Sequence, residues 1–305
     1  MEIRNLTTFT KVAESQSLSR AAKQLGYAQS TVTMQMQQLE QELGVPLYER
    51  VGRQIRITQA GQNLLTYAVP IIRMSQEALL VGKETSREVC GSLRVGILEA
   101  LAGDGLAASS NRYLQNNPGV ELEILTETDS RILADKLRHN EIDLMVTLDY
   151  PVSDADLVHA GTDIPEEIRF YAAADHPLAR ADGISLKEIL EYPLIRGDER
   201  LPYEQQLEKL KEQRGARQIR VQNQDLALRM AARQSGRGKA AGLTMAPESA
   251  AQEYTEDGRL AALDYRIPGC RMWRQTIYHR NKWMTGAMQA WIAMGGSAGE
   301  AEDTG

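Results

Sequence analysis

Six polar residues in one short stretch, Gln29, Ser30, Thr31, Thr33, Gln35 and Gln38, carry hydrogen-bond donors and acceptors of the kind that read base edges and phosphates. Just beyond them, Arg50, Arg53 and Arg56 recur at every third position. Three guanidinium groups so placed can neutralise phosphate oxygens, an interaction that supplies much of nucleic-acid affinity and fades as salt rises. This chemistry needs a small rigid head. Leu18, Ala21, Ala22 and Leu25 fall at i, i+3, i+4 and i+7 and predict a short first helix that Gly26 ends. Gln29, Ser30 and Thr31 open a second helix, in which Val32, Met36, Leu39 and Leu43 recur at helical spacing and leave the polar residues on or near the outward face. After Gly44 and Pro46, Tyr48, Ile55 and Ile57 alternate with the arginines around a turn at Gly52, which predicts a small β-wing. A small helical domain with an ordinary solvated arginine cluster is the competing reading. The coincidence in order of two helices, a turn and a basic wing favours double-stranded DNA as partner.

The overall charge of −6 is divided unevenly. Residues 1–61 carry seven bases against five acids, a net of +2, which leaves −8 for the remainder. A basic head on an acidic body fits this asymmetry, because the local patch decides phosphate binding. A chain of 305 residues exceeds one ordinary core and predicts two or three compact units. Cys90 and Cys270 lie far apart without a CxxC, so neither a disulfide framework nor a zinc site is expected. The opening MEIRNLTTFTKVAESQ lacks a signal peptide's apolar core, and no run approaches bilayer length. A soluble cytoplasmic protein without membrane contact is the expectation.

From Gln59 to about Glu88, Leu65, Ala68, Ile72 and Leu79 form one helical stripe. The stripe packs either on its own domain or on the twin helix of a second copy. Pro70 removes a backbone donor and predicts a kink or break. Beyond Gly91, short β-rich runs alternate with helices: Ser92–Ile97, 101–116, Val120–Thr126, Ser130–Asn140 and Leu144–Leu148. A second unit beginning near Pro165 places strands at Ile168–Ala174, Leu194–Arg196, Ile219–Gln222 and Gly242–Met245, with helices at Ser185–Glu191, Tyr203–Gln213 and Leu226–Gln234. This is an open α/β pattern in two lobes, and small ligands bind such sheets outside the carboxyl ends of strands.

Phe9, Val12 and Ala13, the run Ser17–Ala22, Gln29–Thr33, Leu39-Glu40, Leu43-Gly44, Leu47–Arg50 and Thr58–Gly61 resemble the LysR-type transcriptional regulators. Gly91–Gly96, Asn117–Leu122, His176–Ala179 and Gly242–Pro247 sit where that family has similar motifs, so the resemblance covers nearly the whole chain and is densest in the first 61 residues. It implies a multidomain fold: an N-terminal all-α winged helix-turn-helix over 1–58, a long dimerising linker helix over 59–89, and a two-lobed α/β periplasmic-binding-protein-like effector domain over 90–305. Lobe I would take about 90–163 and 266–294, lobe II about 164–265, with a disordered tail over 295–305. It further implies a homodimer or homotetramer that reads a pseudo-palindromic operator and is modulated by a small-molecule effector. A ligand-independent repressor with a vestigial cleft stays open as an alternative. So, more remotely, does a solute-binding or enzymatic α/β protein with an appended helical module.

Seven residues are candidates for the cleft: Glu99, Ala100, Ser130, Thr147, Arg196, Asn223 and Thr244. Glu99 and Ala100 stand where the family often has a Ser or Thr that holds an effector carboxylate. Ala100 cannot hydrogen-bond through its side chain, and a cleft-facing Glu99 would repel a carboxylate and favour a donor or cation. A surface position or an arginine partner suits Glu99 equally. Ser130 matches a family hydroxyl position and could hold an anion with the helix N–H groups, or serve only as an N-cap. Arg196 has the planar fork for bidentate anion binding, or forms an ion pair with Asp198 or Glu199. Ser235–Lys239 superficially suggests a phosphate loop but lacks GxxxxGK[ST]. His139, His159, His176 and His279 are scattered, and no GxSxG or strand-following GxGxxG occurs, so no catalytic residue, metal or cofactor is expected. Trp273, Trp283 and Trp291 could pack the end of the chain onto the first lobe.

Overall fold

Two helix stops shape the start of the chain, because Gly26 and Gly44 take the left-handed conformation with φ of 68° and 70°. The structure, a computed structural model, describes residues 1–51, 54–80, 89–209, 217–233 and 242–295. It divides into two compact units, one of Met1–Arg87 and the other of most residues from Glu88 onward. In the first, α1 (Ile3–Ser15) precedes α2 (Leu18–Leu25) and α3 (Gln29–Leu43). Ser17 caps α2 by accepting from the Arg20 N–H. The wing follows as antiparallel strands β1 (Tyr48–Val51) and β2 (Gln54–Ile57), with Arg50 opposite Ile55 and Glu49 opposite Arg56. Leu6, Phe9, Val12, Val32, Met36, Leu39, Leu47 and Ile55 make one core. Glu40 ties the wing to α3 by accepting from the Leu47 N–H at 2.7 Å.

Helix α4 (Gln59–Leu80) runs uninterrupted through Pro70, which corrects the expected break. Of the two packings open to the predicted stripe, its described part takes the one on its own domain. Ala68 is wholly buried in the core of its own unit, and Leu65 and Ile72 pack against that core, whereas Tyr67 and Met74 on another face are exposed. Leu79 and the linker beyond Leu80 lie outside the described side chains or residues.

The second unit is organised by one nine-stranded sheet, in the order β4-β3-β5-β11-β7-β10-β8-β9, with β6 pairing on β11. Lobe I contains β3 (Cys90–Leu98), α5 (Asp104–Asn116), β4 (Gly119–Glu127), α6 (Ser130–Arg138), β5 (Leu144–Asp149) and β6 (Leu157–His159). Its parallel β4-β3-β5 core is almost continuously apolar on β3 and β5, as expected of strands covered on both faces. Lobe II contains β7 (Ile164–Ala173), α7 (Leu186–Ile189), β8 (Leu194–Arg196), α8 (Pro202–Glu208), β9 (Gln218–Arg220), α9 (Gln224–Arg233), β10 (Leu243–Pro247) and α10 (Glu248–Glu256). Ser185 and Glu188 form a capping box at α7.

The long strand β11 (Leu260–His279) belongs to both lobes. It pairs with β7 from Leu260 to Arg274 through two register irregularities between Ala262 and Arg271, and its Trp273–Ile277 pairs with β5. Helix α11 (Gly286–Ala293) then closes lobe I, where Trp291 meets Tyr113 edge-on at 5.1 Å. Trp283, expected to help in this, is exposed.

Candidate nucleic-acid interface and interlobe cleft

On α3 the outward face presents Gln29, Ser30 and Gln38, all exposed, with Thr31 and Thr33 half-buried. Thr33 already donates its hydroxyl to the Gln29 carbonyl at 3.0 Å. Gln35, expected outward, is buried instead. It lies on the same stripe as Val32 and Leu39, and its Oε1 accepts from the Thr8 hydroxyl at 2.7 Å, so it ties α3 to α1. Met34 and Tyr27 complete the exposed surface at 60% and 40%. Sequence reasoning passed over both because an apolar residue in a helical segment reads as core; the signal was that Met34 falls off the buried stripe. Arg50 and Arg56 are exposed on the two wing strands, while Arg53 lies outside the described residues. The basic loop Ser235–Lys239 also lies outside them.

Within the second unit, Glu99 reaches from the end of β3 to the start of α9. Its Oε1 accepts from Asn223 Nδ2 at 2.8 Å and from the Gln224 backbone N–H at 3.0 Å. Burial, the leading influence, raises the Glu99 pKa, and the neighbouring Asp198 and Asp225 act in the same direction. A second link joins the lobes where Thr128 hydrogen-bonds Asp198. Beside Glu99, a cavity of about 800 Å³ is lined by parts of α5, α9 and α10, including Asp104, Arg112, Asp225 and Glu253.

Other candidates are placed differently. Ser130 is not the N-cap of α6, since its hydroxyl donates to Asp149 at 2.7 Å while Asp129 accepts from the Arg131 N–H. Ala100 is buried. Arg196 is 1% exposed and bonded to Glu204 and Glu208, which removes it from any position to hold a ligand anion. The partners anticipated for it are taken elsewhere: Asp198 pairs with Arg200 at 2.7 Å and Glu199 with Arg220 at 2.7 Å. Thr147 and Thr244 sit in β5 and β10, fully buried, and neither hydroxyl has a hydrogen-bond partner among the described residues. Neither lines the cavity beside Glu99.

Cys270 is half-buried, and burial first and Glu204 second push its thiol up to about 12, so it is a poor nucleophile. Among the described residues no group of three His, Cys, Asp or Glu side chains could hold a metal ion. None of their helices is long and apolar enough to cross a membrane.

A winged helix-turn-helix head followed by a two-lobed α/β binding domain defines a DNA-binding transcriptional regulator with a ligand domain in the same chain. Residues 3–62 match the bacterial regulatory helix-turn-helix protein family of lysR type, and residues 86–298 match the LysR substrate binding domain. The chain belongs to the LysR family of transcriptional regulators. It is 28% identical over 292 residues to the uncharacterized HTH-type transcriptional regulator YwqM of Bacillus subtilis (strain 168), covering 96% of this chain and 97% of that one. It is 30% identical over 297 residues to the RuBisCO operon transcriptional regulator of Allochromatium vinosum, covering 95% and 94%. The full-length CbnR structure complexed with its target DNA shares the fold at a TM-score of 0.65 and 20% identity, covering 96% of this chain and 98% of that one.

Proposed function

We propose that this regulator reads its operator with Gln29, Ser30, Thr31, Thr33 and Gln38 on α3 while Arg50, Arg53 and Arg56 of the wing neutralise phosphates. The observation that carries this reading is the exposed face of α3, polar over Gln29, Ser30 and Gln38, followed by a wing with Arg50 and Arg56 both exposed. The DNA complex of the structural neighbour CbnR supports the same use of the shared fold. Two copies assemble through the apolar face of α4 that Tyr67 and Met74 leave exposed, and a pair of heads then meets half-sites one helical turn apart. A small-molecule effector in the cleft around Glu99, Asn223, Thr147 and Thr244 biases the relation between the lobes, and so the spacing of the paired heads on cytoplasmic DNA.

A salt titration of binding to the intergenic DNA beside the chain's own gene, with Arg56→Ala alongside and unrelated DNA as competitor, tests the reading. Tight binding that outlasts the competitor and weakens both with salt and in the variant is the expected result. Failure to bind any DNA would refute it. A ligand-independent repressor is the second reading, favoured by the buried, side-chain-inert Ala100; operator occupancy that no screened metabolite shifts would select it.

A further inference from the structure

Glu99 gives the interlobe cleft an anion of its own. The residue follows β3 in lobe I, whereas Asn223 and Gln224 belong to lobe II, so the bonds at 2.8 and 3.0 Å span the cleft. The second carboxylate oxygen adds a longer contact of 3.3 Å from the Gln224 N–H. Gln224 is the first residue of α9, a helix of ten residues, so the carboxylate takes the first N–H at the positive end of a helix dipole, while Asn223 Oδ1 accepts from the Leu226 N–H at 2.7 Å.

A free carboxylate entering the cleft would seek this same position, and it is filled. The charges around Glu99 reinforce the exclusion. The charges of Asp198 and Asp225 both act against its ionised form. The cavity lining beside Glu99 carries Asp104, Asp225, Glu253 and Glu256 against Arg112 and Arg229, and Arg229 is bound to Asp225 at 2.7 Å. Glu99 is held by neutral donors, and among the described residues no cation pairs with it. A half-buried carboxylate in that situation gains most from a ligand that brings positive charge or further N–H donors.

We propose that Glu99 is the specificity-determining residue of the cleft: it stands in for a ligand carboxylate at the start of α9, bars anionic effectors, and directs the site toward effectors recognised through an ammonium or similar donor group. This rests on the cleft being the effector site.

The test is a thermal-unfolding titration of the full chain with sodium acetate and with ethylammonium chloride, each against sodium chloride at equal ionic strength. In the wild type, ethylammonium raises the midpoint by roughly 2–4 °C while acetate does nothing beyond chloride. In Glu99→Ala the preference reverses, because acetate now occupies the vacated position and restores the lost stability. Glu99→Gln, which keeps the shape and an acceptor oxygen, responds to neither. Acetate stabilising the wild type as much as ethylammonium would overturn the proposal, and that arm needs no variant. Absence of any acetate effect in a folded Glu99→Ala would overturn it too. The readout uses protein alone, so these results can fail while operator binding persists, and loss of operator binding would refute the regulator reading without touching them.

Discussion

Arg196 and Glu204 form an ion pair entirely shielded from solvent, with the guanidinium Nε donating at 2.8 Å and the second carboxylate oxygen taking the Gly197 N–H at 2.8 Å. The pair holds β8 to α8 and keeps lobe II's only fully buried arginine among the described residues away from the cleft. Truncating one partner strands the other charge in the interior. Arg196→Met or Glu204→Gln is therefore expected to cost about 3–5 kcal/mol in urea unfolding, and the double replacement by apolar residues less than the sum.

Gln35 and Gln38 sit one turn apart on α3 yet should behave oppositely. Gln38 is exposed and accepts only a long 3.4 Å bond from Asn5, so Gln38→Ala costs less stability than Gln35→Ala and weakens operator binding. Gln35→Ala strands the Thr8 hydroxyl and is expected to cost about 1–3 kcal/mol of stability. Paired denaturation and operator-binding measurements separate the two, and a Gln35 variant that keeps full stability but loses DNA would show the geometry of α3 to be misread.

The wing arginines bind phosphates and do not read bases. Arg50→Ala and Arg56→Ala are each expected to lower affinity for operator and unrelated DNA alike and to reduce the log–log salt slope by about 1. A selective loss on the operator alone would assign them to base contacts.

His176 predicts how acid acts on lobe II. Its ring is buried against Tyr192, Nδ1 accepts from the Leu178 N–H at 3.1 Å, and Nε2 has no hydrogen-bond partner among the described residues. Burial lowers its pKa below the ordinary 6.5. The unfolded chain thus takes up the proton first, so the stability this neutral ring contributes is present above 6.5 and declines as pH falls toward the folded-state value. Urea midpoints at several pH values should fall less steeply below 6.5 in His176→Asn than in the wild type.

How much of this could be read in the sequence depended on whether a residue's role is local. Helices α2 and α3 were legible because their apolar spacing and their stops at Gly26 and Gly44 lie within a few residues of one another. Helix α10 was not, since it buries only Ala251 and Tyr254 and offers too thin an apolar stripe. The length of β11 was hidden by Pro268 and Gly269, which punctuate a sequence but here sit at its register irregularity. Arg196 looked like a ligand-binding arginine because its acids, Glu204 and Glu208, lie a full helix away; only the packing of α8 brings them to it. The Glu99 bond is of the same kind, joining residues 125 positions apart.

Strand β11 also sets an order on synthesis. Lobe II is made in full before the chain returns to finish lobe I, whose β5 must wait for Trp273–Ile277 and whose Tyr113 must wait for Trp291. At a translation rate of about 5–20 residues per second, the nascent first lobe spends several seconds on the ribosome with an unpaired apolar edge. A chain cut short before β11 would carry that open edge permanently, and its fate would be decided by chaperones and proteases.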